Sequence, residues 1–398
     1  MTNALTWLES LQGSGIRPGL GRIRALLRAL GHPHRAYPSV IVAGTNGKGS
    51  TSATLASILR ESGRRTGLYT SPHLVDIHER WRIDDQNIDD ALLNASIEKL
   101  QAAAEAIGIT PTYFEALTLI AFIAFALAQC DIVVLEVGMG GRLDATNVVK
   151  PIAALITPIG LDHMEYLGNT IRKIAREKAG VIHRGAIVLT SNDDPRVLDV
   201  LRKRAASFGN RFIHVTDEHD TTLVGDFQRR NAALAARAAR ELGISEEAIA
   251  RGIRNTRWRG RLERFDVARK NVWVDGCHNA HAIAAVAPYI EQAIPRPRLL
   301  VFGIMSDKDV DAVTRSFFPL FDRVIATEPY PPRSASADDL AAKARALGIE
   351  AIAIPDPNDA LQRALEMPER SLFVGGSLYL AGAAIAFFDE QRAGEHEG

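Results

Sequence analysis

Val40-Ile-Val-Ala-Gly-Thr-Asn-Gly-Lys-Gly-Ser-Thr51 is the stretch on which the reading of this chain turns. Its four apolar residues read as a short buried strand. Gly44, Gly47 and Gly49 then make a turn, and Leu55, Ile58 and Leu59 follow at helical spacing. Strand, glycine turn and helix together form the geometry of a phosphate-binding loop, whose backbone N–H groups close on a polyphosphate. In such a loop Lys48 reaches the outer oxygens and the Ser50 hydroxyl can ligate magnesium. The spacing is shorter than the strict G-x-x-x-x-G-K-[ST] form, and Gly49 separates Lys48 from Ser50. An ordinary strand-to-helix turn would fit the same stretch, so the rest of the chain has to separate the two readings.

Working outward, the preceding residues hold a short helix, Thr6–Gln12, then the glycine-rich 13–21 segment, then an amphipathic helix with Ile23, Leu26, Leu27 and Leu30 on one face. The glycine-rich segment reads as a plain connector or as a flap over a site. After the loop come strand-like runs at Thr66–Thr70, Ile132–Val137, Ile152–Thr157 and Ala186–Thr190. Between them lie helical patterns around Asp89–Ile107, from Thr110–Glu115 through the apolar run Ala116–Cys130, and from about Thr170. Strands alternating with helices predict a parallel sheet covered on both faces. The rhythm changes near Thr221. An alanine-rich helix starts near Asn231, and Arg257–Glu263 reads as a hinge. A second series follows, with strands at Val272–Asp275, Leu299–Gly303, Arg323–Thr327, Ala351–Ile354 and Leu372–Gly376. The expectation is two α/β domains, a mostly parallel phosphate-loop domain over 1–260 and a smaller Rossmann-like domain over 261–398.

The chain has 398 residues, 46% hydrophobic and 24% charged, which fits a soluble globular protein with a real core. Its formal net charge is zero, so no basic surplus points to nucleic acid. Cys130 and Cys277 read as reduced thiols of a cytoplasmic protein. The first residues carry no basic leader ahead of an apolar core, so no signal peptide is expected. Ala116–Cys130 is interrupted by Thr118 and Gln129 and is short for a bilayer span. It reads as a buried helix.

Several residues outside the loop could carry chemistry. Glu136 closes an apolar strand ahead of a glycine-rich turn, where ligands of parallel sheets bind. There it could hold magnesium, or simply pair with Arg142. Asp162-His163 follows another strand. His163 could meet a metal or phosphate, or the pair could be a capped turn. Ser71, before Pro72, reads more readily as a turn residue. Lys178 shares a helix face with Ile171, Ile174 and Ala175, so its amine is directed inward. Burial lowers an amine's pKa and makes it nucleophilic, unless a partner such as Glu136 neutralises it. In the second series Asp275 closes a strand before Gly276-Cys-His-Asn279. It could hold a ribose hydroxyl, and His278 could meet phosphate, while His278 and Asn279 could equally cap a helix. Cys277 reads as structural.

These motifs together resemble the folylpolyglutamate synthase and dihydrofolate synthase family within the Mur ligase group. The matching pieces are Gly44-Thr-Asn-Gly-Lys-Gly-Ser50, Ser71-Pro-His-Leu74, Tyr113-Phe-Glu-Ala-Leu-Thr118, Leu135-Glu-Val-Gly-Met-Gly-Gly-Arg-Leu-Asp-Ala-Thr-Asn147, Asp162-His163, Glu177-Lys-Ala-Gly180, Trp258-Arg-Gly-Arg261, Asp275-Gly-Cys-His-Asn279 and Gly376-Ser-Leu-Tyr379, in family order over nearly the whole chain. The resemblance implies an ATP-dependent ligase joining a pterin-bearing carboxylate to L-glutamate through an acyl phosphate. It implies nucleotide contacts from Gly44, Thr45, Asn46, Gly47, Lys48, Gly49, Ser50, Asn231, Arg261, Asp275 and His278. It implies two magnesium ions on Ser50, Ser71, Glu136 and His163, and carbamylation of Lys178. Lys48, His163 and Lys178 become the catalytic candidates. The substrate pocket would use Gly19, Leu20, Thr112, Tyr113, Phe114, Glu115, Leu143, Asp144 and Ala145. Substrates would be ATP, L-glutamate and dihydropteroate or a reduced folate, with no nucleic-acid or membrane partner. A cytoplasmic monomer is expected, with hinge movement at Arg257–Arg261 on ATP binding. Two positions depart from the family. Phe227-Gln228 stands where His-Gln is common, and Cys277 where alanine is common.

Two other readings fit the sequence less well. A cell-wall Mur ligase needs a nucleotide-sugar-binding domain, and the short stretch before the loop is far below the roughly 100 residues typical of a domain. A regulatory nucleotide switch would need the loop but neither Arg261 nor Asp275.

Overall fold

The computed structural model describes residues 3–15 and 17–396. The chain forms two compact units. One comprises Met1–Pro72, His78–Thr222 and Arg229–Arg257, the other His73–Ile77, Leu223–Gln228 and Trp258–Gly398.

The first unit is built on an eight-stranded sheet. Its strands are β1 (Ser39–Ala43), β2 (Thr66–Tyr69), β3 (Trp81–Ile83), β4 (Gln86–Asn87), β5 (Ile132–Glu136), β6 (Ala153–Ile156), β7 (Ile187–Thr190) and β8 (Phe212–His214). Their spatial order is β4-β3-β2-β5-β1-β6-β7-β8. From β2 to β8 all neighbours are parallel, and only the β2–β3 and β3–β4 pairs are antiparallel. β1 and β5 are buried at every position, as strands covered by helices on both faces must be. The central β1 is flanked by β5 and β6, so the loops leaving these three strands meet at one edge of the sheet.

The Lys48–Glu61 helix leaves β1 through the phosphate-loop candidate. Behind it packs the Glu246–Asn255 helix, and Gly252 is the contact point. A Cβ there would stand 2.3 Å from Ile58 Cα, and Ser57 Oγ donates to the Gly252 carbonyl at 2.7 Å. Gly252→Ala is therefore expected to destabilise the unit by about 3 kcal/mol, since backbone cannot rotate out of the way as a side chain can. Urea unfolding checks this, and a midpoint equal to wild type would contradict it. The Tyr113–Leu127 helix is buried around most of its circumference, which explains its nearly unbroken apolar sequence. It starts with a capping box: Glu115 N donates to Thr112 Oγ1, and Thr112 N donates to the Glu115 carboxylate.

The second unit has β9 (Glu263–Val267), β10 (Lys270–Val274), β11 (Arg298–Phe302), β12 (Arg323–Ala326), β13 (Glu350–Ala353) and β14 (Ser371–Gly375), ordered β13-β12-β11-β14-β10-β9. All pairs are parallel except β9–β10. Leu300 and Phe302 join a core with Phe317, Phe318 and Phe373 on one face. Leu299 and Val301 join Leu372, Val374, Leu380 and Phe388 on the other. The period-two alternation along β11 thus feeds two helical layers. Both units are α/β with mostly parallel sheets, as expected.

Some elements differ from the sequence reading. The first helix spans Asn3–Ser10 rather than Thr6–Gln12, and the alanine-rich helix starts at Asp226, directly after Gly225 at φ 102, rather than near Asn231. Two hairpins were not anticipated. They turn through Asp84-Asp85 and Ala268-Arg269, all four at positive φ. Such turns usually advertise themselves with glycine or asparagine. Among the described residues no helix is long and apolar enough to cross a membrane.

Candidate active site

The phosphate loop is shaped by what lies beneath it. Gly44 adopts φ 154, and a Cβ there would fall 1.8 Å from Thr157 Oγ1. Gly47 adopts φ 85, and a Cβ would fall 2.4 Å from Asn231 Oδ1. Glycine is required at both places, and Asn231 therefore lies directly against the loop. Thr45 and Asn46 donate their amides to Pro158 O at 3.0 and 3.3 Å. Gly160 N donates to Thr45 Oγ1 at 3.1 Å. These bonds stitch the loop to the segment that follows β6 and ends in Asp162-His163. Lys48 Nζ donates to Thr45 O at 3.1 Å, and Ser50 is buried in the first turn of the helix. The first-turn amides of a helix lack intrahelical partners and make an anion site.

Lys178 closes the Ile171–Lys178 helix, which Thr170 caps. Its side chain is buried, and Nζ donates to Gly44 O at 2.5 Å. Burial, and then the neighbouring Lys48 charge, lower its pKa to about 7 against the opposing pull of Asp162 and Asp144. The inward face read from the sequence is thus observed, but its partner is the phosphate-loop carbonyl. The guanidinium of Arg142, considered above as a partner for Glu136, goes to Glu177 at 3.0 Å. Glu136 is buried and accepts the Ser71 amide at 3.1 Å. That bond joins the ends of β5 and β2. Asp162 Oδ1 accepts the His163 amide at 2.9 Å, and His163 takes a left-handed conformation at φ 48. The capped turn is present, and it leaves the imidazole partly exposed.

The substrate-side candidates also gather. Arg22 Nε donates to Glu115 Oε2 at 3.1 Å, which ties the helix following Gly19 and Leu20 to the capping box at Thr112. The Phe114 ring lies on Gly138, where a Cβ would be 2.4 Å from it. Tyr113 is half-buried and Ala145 buried, while Leu143 is exposed. Asp144, between them, is buried and accepts from Met139 N, Thr146 N and Thr146 Oγ1. Burial raises its pKa, and these hydrogen bonds oppose the rise.

In the second unit Asp275 is buried beyond β10. It accepts the amides of Leu262 at 2.9 Å and Cys277 at 2.8 Å. Burial raises its pKa and the Arg261 charge opposes that. The carboxylate therefore anchors the Gly260–Leu262 turn that carries Arg261. His278 Nδ1 donates to Gly276 O at 2.8 Å, and Asn279 caps the Ala280–Ala293 helix. Cys277 is a buried free thiol that burial and Asp275 push well above its ordinary value, which suits a structural role.

The sequence reading missed Thr157 beneath Gly44 and Arg22 on Glu115. Both are long-range contacts with no local signature. Among the described residues no three His, Cys, Asp or Glu side chains cluster as a metal cage.

The Mur ligase middle domain matches residues 42–235, and the Mur ligase glutamate ligase domain matches residues 260–377. The dihydrofolate synthase/folylpolyglutamate synthase of Bacillus subtilis is 35% identical over 376 residues, covering 85% of this chain and 87% of that protein. The structure of Escherichia coli FolC in complex with DHPP and ADP superposes with a TM-score of 0.89 at 30% identity, covering 98% of this chain and 99% of that one. The Yersinia pestis bifunctional folylpolyglutamate synthase/dihydrofolate synthase complexed with AMPPNP and Mn ion gives 0.85 at 31% identity, covering 96% of each chain. By its domains, its length and its fold, the chain belongs to the dihydrofolate synthase/folylpolyglutamate synthase family of Mur-type glutamate ligases.

Proposed function

We propose that this chain couples ATP cleavage to the joining of L-glutamate to dihydropteroate and also to the glutamate chain of a reduced folate. The observation that carries the reading is Lys178, a buried amine held 2.5 Å from the Gly44 carbonyl of the phosphate loop. Its amine is buried beside the Lys48 charge, and amines perturbed in this way cluster at functional sites. The substrate carboxylate attacks the γ-phosphorus, ADP leaves, and an acyl phosphate forms. The amine of glutamate attacks the acyl carbon, a tetrahedral intermediate collapses, and phosphate departs with the bond to carbon broken. The amine's proton passes to solvent or a base. The protein's part is positioning and charge neutralisation.

In this reading the amides of Gly44–Ser50 and the Lys48 ammonium hold the phosphates. Asn231, next to Gly47, contacts the nucleotide. Arg261, Asp275 and His278 are proposed as nucleotide-contacting residues of the second unit, with Asp275 holding the turn of Arg261. Gly19, Leu20, Thr112–Glu115 and Leu143–Ala145 are proposed to receive the pterin.

The donor set also fits magnesium. Glu136 supplies one buried carboxylate, Ser50 and Ser71 supply hydroxyls, and His163 stands on the adjoining loop. Magnesium bound with nucleotide keeps waters and phosphate oxygens and needs few protein ligands, so the absence of a three-acid cage is no obstacle. The metal would neutralise phosphate charge when bound, and two ions are proposed. Carbamylation of Lys178 requires a neutral amine near pH 7, which its depressed pKa supplies. There the amine adds to CO2 and releases a proton, leaving a carbamate with one negative charge beside the metal site. A monomer acting in the cytoplasm completes the proposal.

The test is ADP release with ATP, magnesium and glutamate, with and without dihydropteroate or tetrahydrofolate. Each pterin is expected to stimulate turnover at least about tenfold, as substrate-committed phosphoryl transfer requires. No stimulation by either would refute the reading.

A further inference from the structure

The glycine-rich loop 138–144 and the turn after Lys178 are joined by one side chain, Asn147. Its amide nitrogen donates to Arg142 O at 3.0 Å and to Gly180 O at 3.1 Å. Carbonyl oxygens only accept, so the NH2 group must face these two and Oδ1 must face the other way. There His183 Nε2 stands 2.8 Å from Oδ1. An amide oxygen also only accepts, so His183 carries its proton on Nε2. The carbonyls thus fix which way the amide points, and the amide fixes the imidazole tautomer, whose Nε2–H braces Oδ1.

The surrounding backbone leaves little slack. Arg142 N donates to Glu177 O at 2.8 Å. A Cβ on Gly141 would be 2.9 Å from Glu177 O and 3.0 Å from Lys178 O, and one on Gly180 would be 2.4 Å from Arg142 Cβ. Two glycines bring the loop against the end of the Lys178 helix, and Asn147 bolts them together. His183 is itself held from behind, since Asn210 Nδ2 donates to its carbonyl at 2.7 Å. Burial, with the charges of Arg204, Arg24 and Lys150, lowers its pKa below the usual histidine value.

We propose that Asn147 and His183 are positioning residues that hold the Lys178 turn in register with the 138–144 loop, and so aim the Lys178 amine at the phosphate loop. This rests on the reading of Lys178 given above. Asn147 touches no reacting atom. It acts through the backbone of Gly180, two residues after Lys178, which it ties to Arg142 O in the 138–144 loop.

The test uses the full chain, with ADP release counted per nucleotide-binding site from an ADP titration. His183→Leu is expected to lower kcat about tenfold while KM for ATP stays within twofold. His183→Gln keeps an N–H donor for Asn147 and is expected to recover to within threefold of wild type. Asn147→Asp puts an acceptor against two carbonyls and is expected to lose about a hundredfold in kcat. In Lys178→Ala, adding Asn147→Asp or His183→Leu should cost less than twofold more, because the residue they position is gone. Full activity of Lys178→Ala alone would remove the reading of Lys178 and this proposal with it. An inactive Lys178→Ala whose losses multiply with those of the other two variants would overturn only the positioning role. So would a His183→Leu protein that merely has fewer nucleotide-binding sites with unchanged kcat per site.

Discussion

Lys178→Ala is expected to lower ADP release at least about a hundredfold, with formate or acetate restoring part of it. The lysine is buried, and its amine meets the phosphate loop at Gly44 O. Removing it leaves that carbonyl without its donor and leaves a space a small carboxylate can enter. If Lys178 acts as a carbamate, the added anion replaces the missing negative charge, and rescue should saturate with formate concentration. Intact-mass measurement in bicarbonate should show the added CO2 on wild type and not on Lys178→Ala. Full activity in the unrescued variant would sink the assignment.

The same lysine makes a second, opposite statement about stability. Its pKa is near 7 in the folded chain, against about 10.4 in the unfolded one. Below pH 7 both states hold the proton, and the folded state bears the full cost of a buried charge. Between 7 and 10.4 the unfolded chain binds more protons, so stability rises with pH by up to about 1.4 kcal/mol per unit. Lys178→Met, which fills the volume without a charge, should therefore be more stable than wild type at pH 6 in CO2-free buffer. Its advantage should shrink towards pH 9. Loss of activity with gain of stability is what a residue retained for chemistry gives. An advantage that stayed constant from pH 6 to pH 9 would mean the amine keeps its charge in the folded state.

Lys178 was legible because helical spacing alone puts it with Ile171, Ile174 and Ala175, and burial of such a face follows. Glu136 was legible for a similar reason, as a carboxylate ending a run of strand apolars. Both signals are local. Asn147, His183 and Thr157 were not, since their partners lie across the sheet or in a later loop, and nothing in their own neighbourhood demands them. The β9–β10 hairpin failed differently. Glu263, Arg264 and Asp266 alternate with buried Phe265 and Val267, a period-two pattern diluted by charge, and the turn through Ala268-Arg269 carries no glycine. The residues between the Arg257–Glu263 segment and the expected Val272–Asp275 strand therefore gave no strand signal. Sequence order and apolar runs thus gave the two parallel sheets, while the antiparallel edges and the supports of the site depended on contacts that local pattern does not encode.

Gly44→Ala carries the other large expected effect, because it tests the phosphate loop itself. The added methyl would lie 1.8 Å from Thr157 Oγ1, 2.9 Å from its Cβ and 3.0 Å from its carbonyl oxygen, at a backbone φ of 154 that a side chain rarely adopts. The loop cannot move away cheaply, since Thr45 and Asn46 are bonded to Pro158 and the Gly44 carbonyl holds Lys178. Strain and overpacking together should destabilise the chain by about 3 kcal/mol or more. In the protein that remains folded, ADP affinity should fall at least about tenfold, as the amides after Gly44 are turned off the phosphates. Adding Thr157→Ala removes the hydroxyl but leaves the Cβ and carbonyl contacts, so the double variant should recover stability only in part. It also gives up the Thr157 Oγ1 bond to Ala43 O at 3.3 Å. Thermal unfolding with and without ADP separates the two effects, because ligand binding raises the midpoint only where the site is intact. If Gly44→Ala unfolds at the wild-type temperature and still gains the full ADP shift, the loop is not shaped by Thr157 and the nucleotide does not depend on it.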